Sequence, residues 1–363
     1  MVNPLLLLDT SPYLKIPLHF SNEEKTSYIS QLKTHFVHID KYLKNCKTSD
    51  FQPIIKNVFC ERINGFHYSI VNVVQHYLNG YPSKAYQLFE KALKDYEIAN
   101  EIISLMQIQI PKNSSFFRTQ KNHTPNVRKY EDFTTNMHNP LDLFHPKFQH
   151  RRFVPSNRFS ISGYPSLYIS ENLQTSYSES FPNDESGSFH VVCFKNIRPL
   201  YFIDLSQKKL FRNKFLFEGV LPKKGKSSSF DVAGFLDNFG AYQLILASHI
   251  KMQYKKSDER EKLNFKAEYI IPQLLLQWIK QQNLAVDGIR YYSCTAANKY
   301  PGIKNYYNYT LPVRQSLQKG YCPSLCSLFS SCEVYSYFNN RLTASQLKKI
   351  ELELNNSKFK FLA

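Results

Sequence analysis

Acidic residues, glycine and long apolar runs are all scarce in this chain of 363 residues. The longest apolar stretches are Leu5–Leu8 and Tyr269–Ile279, the second broken by Pro272, Gln273 and Gln277. Neither approaches the roughly 20 residues that a membrane-spanning helix needs. No basic segment precedes the four leucines and no convincing cleavage site follows them, so no signal peptide is read and a soluble cytoplasmic protein is expected. Seven cysteines are too few for a disulfide scaffold in a chain of this length, and their odd number favours free thiols in a reducing compartment. Cys322, Cys326 and Cys332 cluster without a CxxC pair; they read as small buried residues, and no metal is expected. The 11 glycines form no glycine-rich or RNA-binding signature, and the chain has no internal repeat, coiled coil or long low-complexity segment.

What is present is a hydrophobic fraction of 42%, enough for a full core and for two domains. Against 29 Asp and Glu stand 46 Lys and Arg, a formal net charge of +17. That charge makes nucleic acid a candidate partner. The basic residues are nevertheless dispersed, through Lys208–Lys214, Lys223–Lys226, Lys251–Lys262 and Lys348–Lys360. They read better as a solvated surface that attracts an anionic substrate or an acidic partner protein.

Residues 1–108 read as a helical N-terminal domain. Ser21 with Glu24 forms a capping box ahead of an apolar face of Tyr28, Leu32, Phe36, Ile39 and Leu43. A second helix is marked by Ile70, Val73, Val74, Tyr77 and Leu78 and ends at Gly80. A third begins after Ser83, with Ala85, Leu88, Phe89, Ala92, Leu93 and Tyr96 on its buried stripe. Arg62, His67 and His76 could be functional, but helical residues of this kind are more often surface or satisfied core groups. A domain over 109–335 follows, and then a helical C-terminal tail over 336–363. Beyond the Ile110–Ser115 boundary, strand-like runs occur at Ser115–Arg118, Ser166–Ser170, Phe189–Lys195, Leu200–Asp204 and Gly288–Cys294. Helices are expected near Val232–Met252 and Pro272–Gln281, and Lys223–Ser229 reads as a mobile basic loop. Strands and helices mixed without regular alternation predict an α+β domain.

The stretch Arg158–Ser170, continued by Asn172–Glu179, carries the most chemistry. Leu167–Ile169 suits a short strand, while Leu173 and Tyr177 share one face of a helix capped by Ser170. Arg158, Tyr168 and Glu179 are therefore expected to converge on one corner. A guanidinium can clamp a pyrophosphate, a phenol can cover an aromatic base, and a carboxylate can stabilise positive charge developing on a sugar.

This stretch resembles the RES domain family, named for its arginine, glutamate and serine. Upstream, Phe116-Phe117-Arg118 is similar to the family's first strand with its functional arginine, and Phe144-His145-Pro146 with Arg151–Arg158 is similar to the segment after it. Downstream, Phe265–Gln273 and Asp287–Ser293 resemble the later helix and the strand carrying the serine. Tyr77–Tyr86 resembles a run in the helical domain often found before RES domains. The resemblance implies an α+β fold related to ADP-ribosyltransferases, with NAD bound as substrate and its nicotinamide–ribose bond broken. The implied acceptors are inorganic phosphate or water, in a toxin or phage-defence effector. Transfer of ADP-ribose to a protein or nucleic acid is the alternative, and a non-catalytic basic binding module is another. A protein antitoxin and a homodimer are the implied partners.

The family's residues carry over as follows. Glu179 would bind the nicotinamide ribose hydroxyls or face the developing charge, and Arg118 would approach the phosphates or the ribose. Arg158 would make a second anion contact or a structural ion pair, with Arg151 and Arg152 competing for that role. Tyr168 would stack on nicotinamide or orient its ribose. Ser293 would orient the ribose, a phosphate or the carboxylate; without a GxSxG elbow or a histidine and acid pairing it is not a nucleophile. Glu268 is a second acid, read as a charge near the start of the following helix.

Overall fold

The computed structural model describes residues 18–21, 27–45, 53–96, 106–121, 139–181, 187–206, 241–253, 265–282, 285–293, 295–296, 306–340 and 342–362. The described elements begin with strand β1 (Leu18–Ser21) and helices α1 (Tyr28–Asn45), α2 (Pro53–Leu78) and α3 (Pro82–Asp95). Strands β2 (Gln107–Ile110), β3 (Ser115–Lys121) and β4 (Ser166–Ser170) lead to helix α4 (Leu173–Ser180). Then come β5 (Gly187–Asn196), β6 (Leu200–Asp204), β7 (Ile250–Gln253), α5 (Ile270–Gln281), β8 (Gly288–Tyr292) and β9 (Tyr307–Pro312). Strands β10 (Phe329–Ser331) and β11 (Tyr335–Asn340), helix α6 (Ala344–Asn355) and strand β12 (Lys360–Phe361) close the chain. The result is a mixed α+β protein with a helical N-terminal region and a mixed sheet. Among the described residues no helix is long and apolar enough to cross a membrane.

Two compact units divide the chain: Met1–Gln107 with Leu205–Trp278, and Ile108–Asp204 with Ile279–Ala363. In the first unit the expected stripe of α1 is buried at Tyr28, Leu32, Phe36 and Ile39, while the side chain of Leu43 lies outside the described residues. The expected capping box is corrected. Ser21 belongs to β1 and Glu24 lies outside the described residues, whereas Ser27 Oγ accepts the N–H of Ser30 at 3.2 Å just before α1. The serine that caps is the one beside the helix, not the one in the strand. Helix α2 ends as its sequence indicates, because Gly80 takes φ +86° and the N–H groups of Gly80 and Tyr81 bond Tyr77 and His76 carbonyls. Helix α3 buries Ala85, Tyr86, Phe89, Ala92 and Leu93.

Residues 241–248 are helical, but the end of the expected Val232–Met252 helix is not: Ile250–Gln253 forms β7 and pairs in parallel with β1. Backbone pairing with a distant strand overrides the local preference there. The basic loop Lys223–Ser229 lies outside the described residues. The three functional candidates of α2 all have structural partners: Arg62 donates to the Tyr96 carbonyl, and His76 bonds the Asn72 carbonyl. Buried His67 contacts Asp40 at 3.0 Å and Gln243 at 2.8 Å and stacks on Phe36.

The second unit is built on a sheet of order β12-β10-β5-β3-β4-β9-β8-β6-β2, with β11 also pairing β5. Neighbours are antiparallel at β5, β3, β4, β9 and β8, while β6 and β8 run parallel. Residues 336–363 contribute α6 and place β11 and β12 in this sheet, so the segment is part helix and part strand. The core gathers Phe116, Phe117, Leu167, Ile169, Leu173, Tyr177, Val192, Phe194, Tyr309 and Leu311. At Gly288 a Cβ would collide with the Thr310 carbonyl, so only glycine lets β8 approach β9 this closely. Where β6 meets β8, Arg290 grips Asp204 through two hydrogen bonds of 3.1 and 2.5 Å. These contacts anchor the strand that leads directly to Ser293.

Candidate functional site

Strand β4 alternates as its pattern requires, burying Leu167 and Ile169 and leaving Tyr168 half-buried on the other face. Ser170 is the last residue of β4 and does not cap the helix. Asn172, in extended conformation, accepts the N–H of Thr175 at 2.8 Å and is the N-cap of α4. Leu173 and Tyr177 form the buried face of this two-turn helix. Its other contacts are polar. Ser176 Oγ accepts the Thr119 N–H at 2.8 Å, and Ser180 Oγ lies 2.7 Å from Thr119 Oγ1, so the serines of α4 dock on β3. Glu351 of α6 accepts the Leu173 N–H at 2.7 Å, a negative charge suited to a helix start.

Helix α4 held in this way leaves Glu179 exposed in its last turn. Oε1 of Glu179 accepts two hydrogen bonds, from Ser293 Oγ at 2.5 Å and from Asn308 Nδ2 at 2.8 Å. Ser293 is 1% exposed and also accepts the Ala296 N–H at 3.1 Å. The Ser293 proton is thus directed at the carboxylate. Asn308, on β9, is a site residue that sequence reasoning missed; its Oδ1 accepts the Ser170 hydroxyl at 2.7 Å. Ser170, Asn308, Glu179 and Ser293 thus form one relay across β4, β9, α4 and the end of β8.

Arg118 leaves β3 half-buried and donates from Nη1 to the Tyr168 carbonyl at 2.8 Å. Among the described residues it has no carboxylate partner. Burial pushes the guanidinium down to about 10, with the Tyr168 phenol acting in the opposite sense, so it remains a cation at neutral pH. Tyr291 of β8 joins Tyr168 and Glu179 electrostatically. Burial raises its phenol well above the ordinary value, Tyr168 and Glu179 add to this, and a Thr310 hydrogen bond and Arg158 oppose it. Arg158 sits in a two-residue turn closed by paired backbone bonds between Asn157 and Ser160. The adjoining Phe159 is fully buried and packs 4.7 Å from the Tyr291 ring. Its competitors are engaged elsewhere: Arg151 bonds Ser316 and the Leu317 carbonyl, and Arg152 lies over Phe153.

Arg118, Tyr168, Glu179, Ser293 and Arg158 are therefore brought to one corner of the second unit. Glu268 lies in a different unit of the chain. It belongs to the first unit, fully buried in the short turn Ala267–Tyr269 that precedes α5. Cys322, Cys326 and Cys332 are buried free thiols.

His145, in the motif Phe144-His145-Pro146, is buried within reach of the Arg118 charge. Its Nε2 accepts the Cys322 N–H and its Nδ1 faces the Pro146 carbonyl, which defines a neutral ring. Burial, opposed by the Pro146 hydrogen bond and aided by the Arg118 charge, lowers His145 from 6.5 to about 4. Between these values the unfolded chain binds a proton that the folded protein refuses. The contribution to stability is thus intact above 6.5 and is lost as the pH falls toward 4, on the order of 3 kcal/mol in all. Urea midpoints measured from pH 7 to 4.5 are expected to fall less steeply in His145→Gln than in the wild type; parallel slopes would contradict this assignment.

Over 319 residues the chain is 29% identical to the Bacillus subtilis (strain 168) protein named "Putative toxin YopC". The alignment covers 85% of this chain and 64% of that protein, so the chain spans somewhat less than two thirds of the relative's length. No family model and no solved structure matches the chain.

Proposed function

We propose that this chain is a toxin that breaks the nicotinamide–ribose bond of NAD and passes the ADP-ribosyl group to inorganic phosphate or water. One observation carries the reading: an exposed carboxylate is aimed by a buried hydroxyl and a buried amide, and the strand on which its helix docks carries a half-buried cation with no carboxylate partner among the described residues. That pairing suits a substrate with an anionic linker and a sugar that becomes cationic. Arg118 would hold the phosphates with a fork of donors, and Arg158 would add a second positive charge. Tyr168 and Tyr291 would flank the nicotinamide ribose.

The C–N bond electrons leave with nicotinamide, which departs as a neutral molecule and needs little acid catalysis. Catalysis then depends on stabilising a sugar with oxocarbenium character, the task assigned to Glu179. An anionic oxygen of phosphate, or a water oxygen that gives up its proton to solvent, forms the new bond to the ribose carbon. The similarity to a protein named as a toxin supports the biological part of the reading. A protein antitoxin with acidic contacts belongs to the same proposal, supported by the net charge of +17. Induced expression in a bacterial host is expected to deplete cellular NAD before growth stops. Growth arrest with NAD held at its starting level would count against the proposal.

A further inference from the structure

We infer that Asn308, itself held by Ser170, is the residue that aims Glu179, tying down Oε1 so that Oε2 is the oxygen presented to substrate. The inference rests on the catalytic reading of Glu179 given above. An exposed glutamate in the last turn of a helix has many rotamers open to it, and nothing in α4 itself chooses among them. The choice is made from the sheet. Asn308 is 4% exposed and Ser293 is 1% exposed, and both donate to the same carboxylate oxygen. Among the described residues Oε2 accepts no hydrogen bond. The clamp therefore leaves one oxygen fixed and the other available.

An amide can present either its N–H or its carbonyl, and only the N–H attracts a carboxylate. In this site the acceptor-only carboxylate of Glu179 takes the N–H, and the Ser170 hydroxyl, donating to Asn308 Oδ1 at 2.7 Å, satisfies the other end of the amide and holds it. Ser170 is 4% exposed at the end of β4, and Asn308 lies opposite it in register on β9. The two residues thus transmit the rigidity of the sheet to a side chain that stands outside it. Ser293 shares the clamp, but its hydroxyl is already fixed by the Ala296 N–H, whereas the amide of Asn308 depends on Ser170.

The test is a double-mutant cycle on the full chain, read by NAD turnover and by thermal unfolding. Asn308→Ala is expected to lower kcat about 100-fold and to change KM less than about twofold, because it disturbs a group that acts in the transition state. In a Glu179→Ala background the same change is expected to cost no further activity. Ser170→Ala is expected to follow the same pattern with a loss of about 10-fold. Asn308→Asp has the same shape and keeps the Ser170 hydrogen bond but offers no N–H, so it guards against a fold that fails for lack of volume. It should lose at least as much as Asn308→Ala. In unfolding, which needs no substrate, Asn308→Ala is expected to lower Tm by about 3 °C in the wild type and by less than half of that in Glu179→Ala. Equal losses in both backgrounds, by either readout, would make Asn308 a purely structural residue and overturn the inference. If the wild-type protein leaves NAD intact, the NAD reading fails, and the thermal cycle alone still decides whether Asn308 and Glu179 are coupled.

Discussion

Glu179→Gln is expected to lower NAD turnover by about three orders of magnitude or more, equivalent to about 4 kcal/mol of transition-state stabilisation. Glutamine keeps the size and both hydrogen bonds to Oε1 remain geometrically possible, so the fold of α4 and the binding of NAD should change little. What is lost is the negative charge, and its value is greatest when the ribose becomes cationic. KM is therefore expected to stay within a few-fold of wild type while kcat collapses. The measurement is steady-state nicotinamide release with the unfolding midpoint as a control for folding. A folded Glu179→Gln protein with wild-type kcat would remove Glu179 from the chemistry.

Arg118→Ala is expected to raise KM for NAD about 100-fold and to reduce kcat as well, because its phosphate contact forms before the bond breaks and persists through the transition state. Arg118→Lys separates charge from geometry. A lysine retains the cation but offers no planar fork and cannot keep the same bond to the Tyr168 carbonyl, so an intermediate loss is expected. Direct NAD binding by calorimetry on the inactive Glu179→Gln protein, with and without Arg118→Ala, measures the binding part alone. Unchanged affinity would assign Arg118 to holding β4 and not to the phosphates.

How far the sequence reveals this site depends on how local each signal is. The face of α4 was legible because Leu173 and Tyr177 are four residues apart, and the stop of α2 because Gly80 takes a left-handed conformation that glycine alone adopts without strain. The cap of α4 was misplaced because Ser170 and Asn172 are both good capping residues two positions apart. Only the partner across the sheet, Asn308, shows which of them is occupied elsewhere. Asn308 itself carries no local signature; it lies 129 residues from Glu179 and meets it through the register of β4 on β9. The three arginines at 151, 152 and 158 illustrate the same limit. Their spacing is uninformative, and they are sorted by a loop at Ser316 and Leu317, a neighbouring phenylalanine and the Tyr291 environment. Strands β1 and β7 are four residues each and pair in parallel across more than half of the chain, so neither has a pattern long enough to reveal its partner.

The corner formed by Arg118, Tyr168, Glu179 and Ser293 is proposed to cleave NAD at its nicotinamide–ribose bond. The most direct measurement is to incubate the purified chain with NAD in phosphate and in phosphate-free buffer and to resolve the products by mass. Release of nicotinamide is expected in both, together with a phosphorylated ADP-ribose in the first and ADP-ribose in the second, and neither product with Glu179→Gln. Intact NAD in both buffers at micromolar protein, with the chain shown to be folded and free of bound inhibitor, would contradict it.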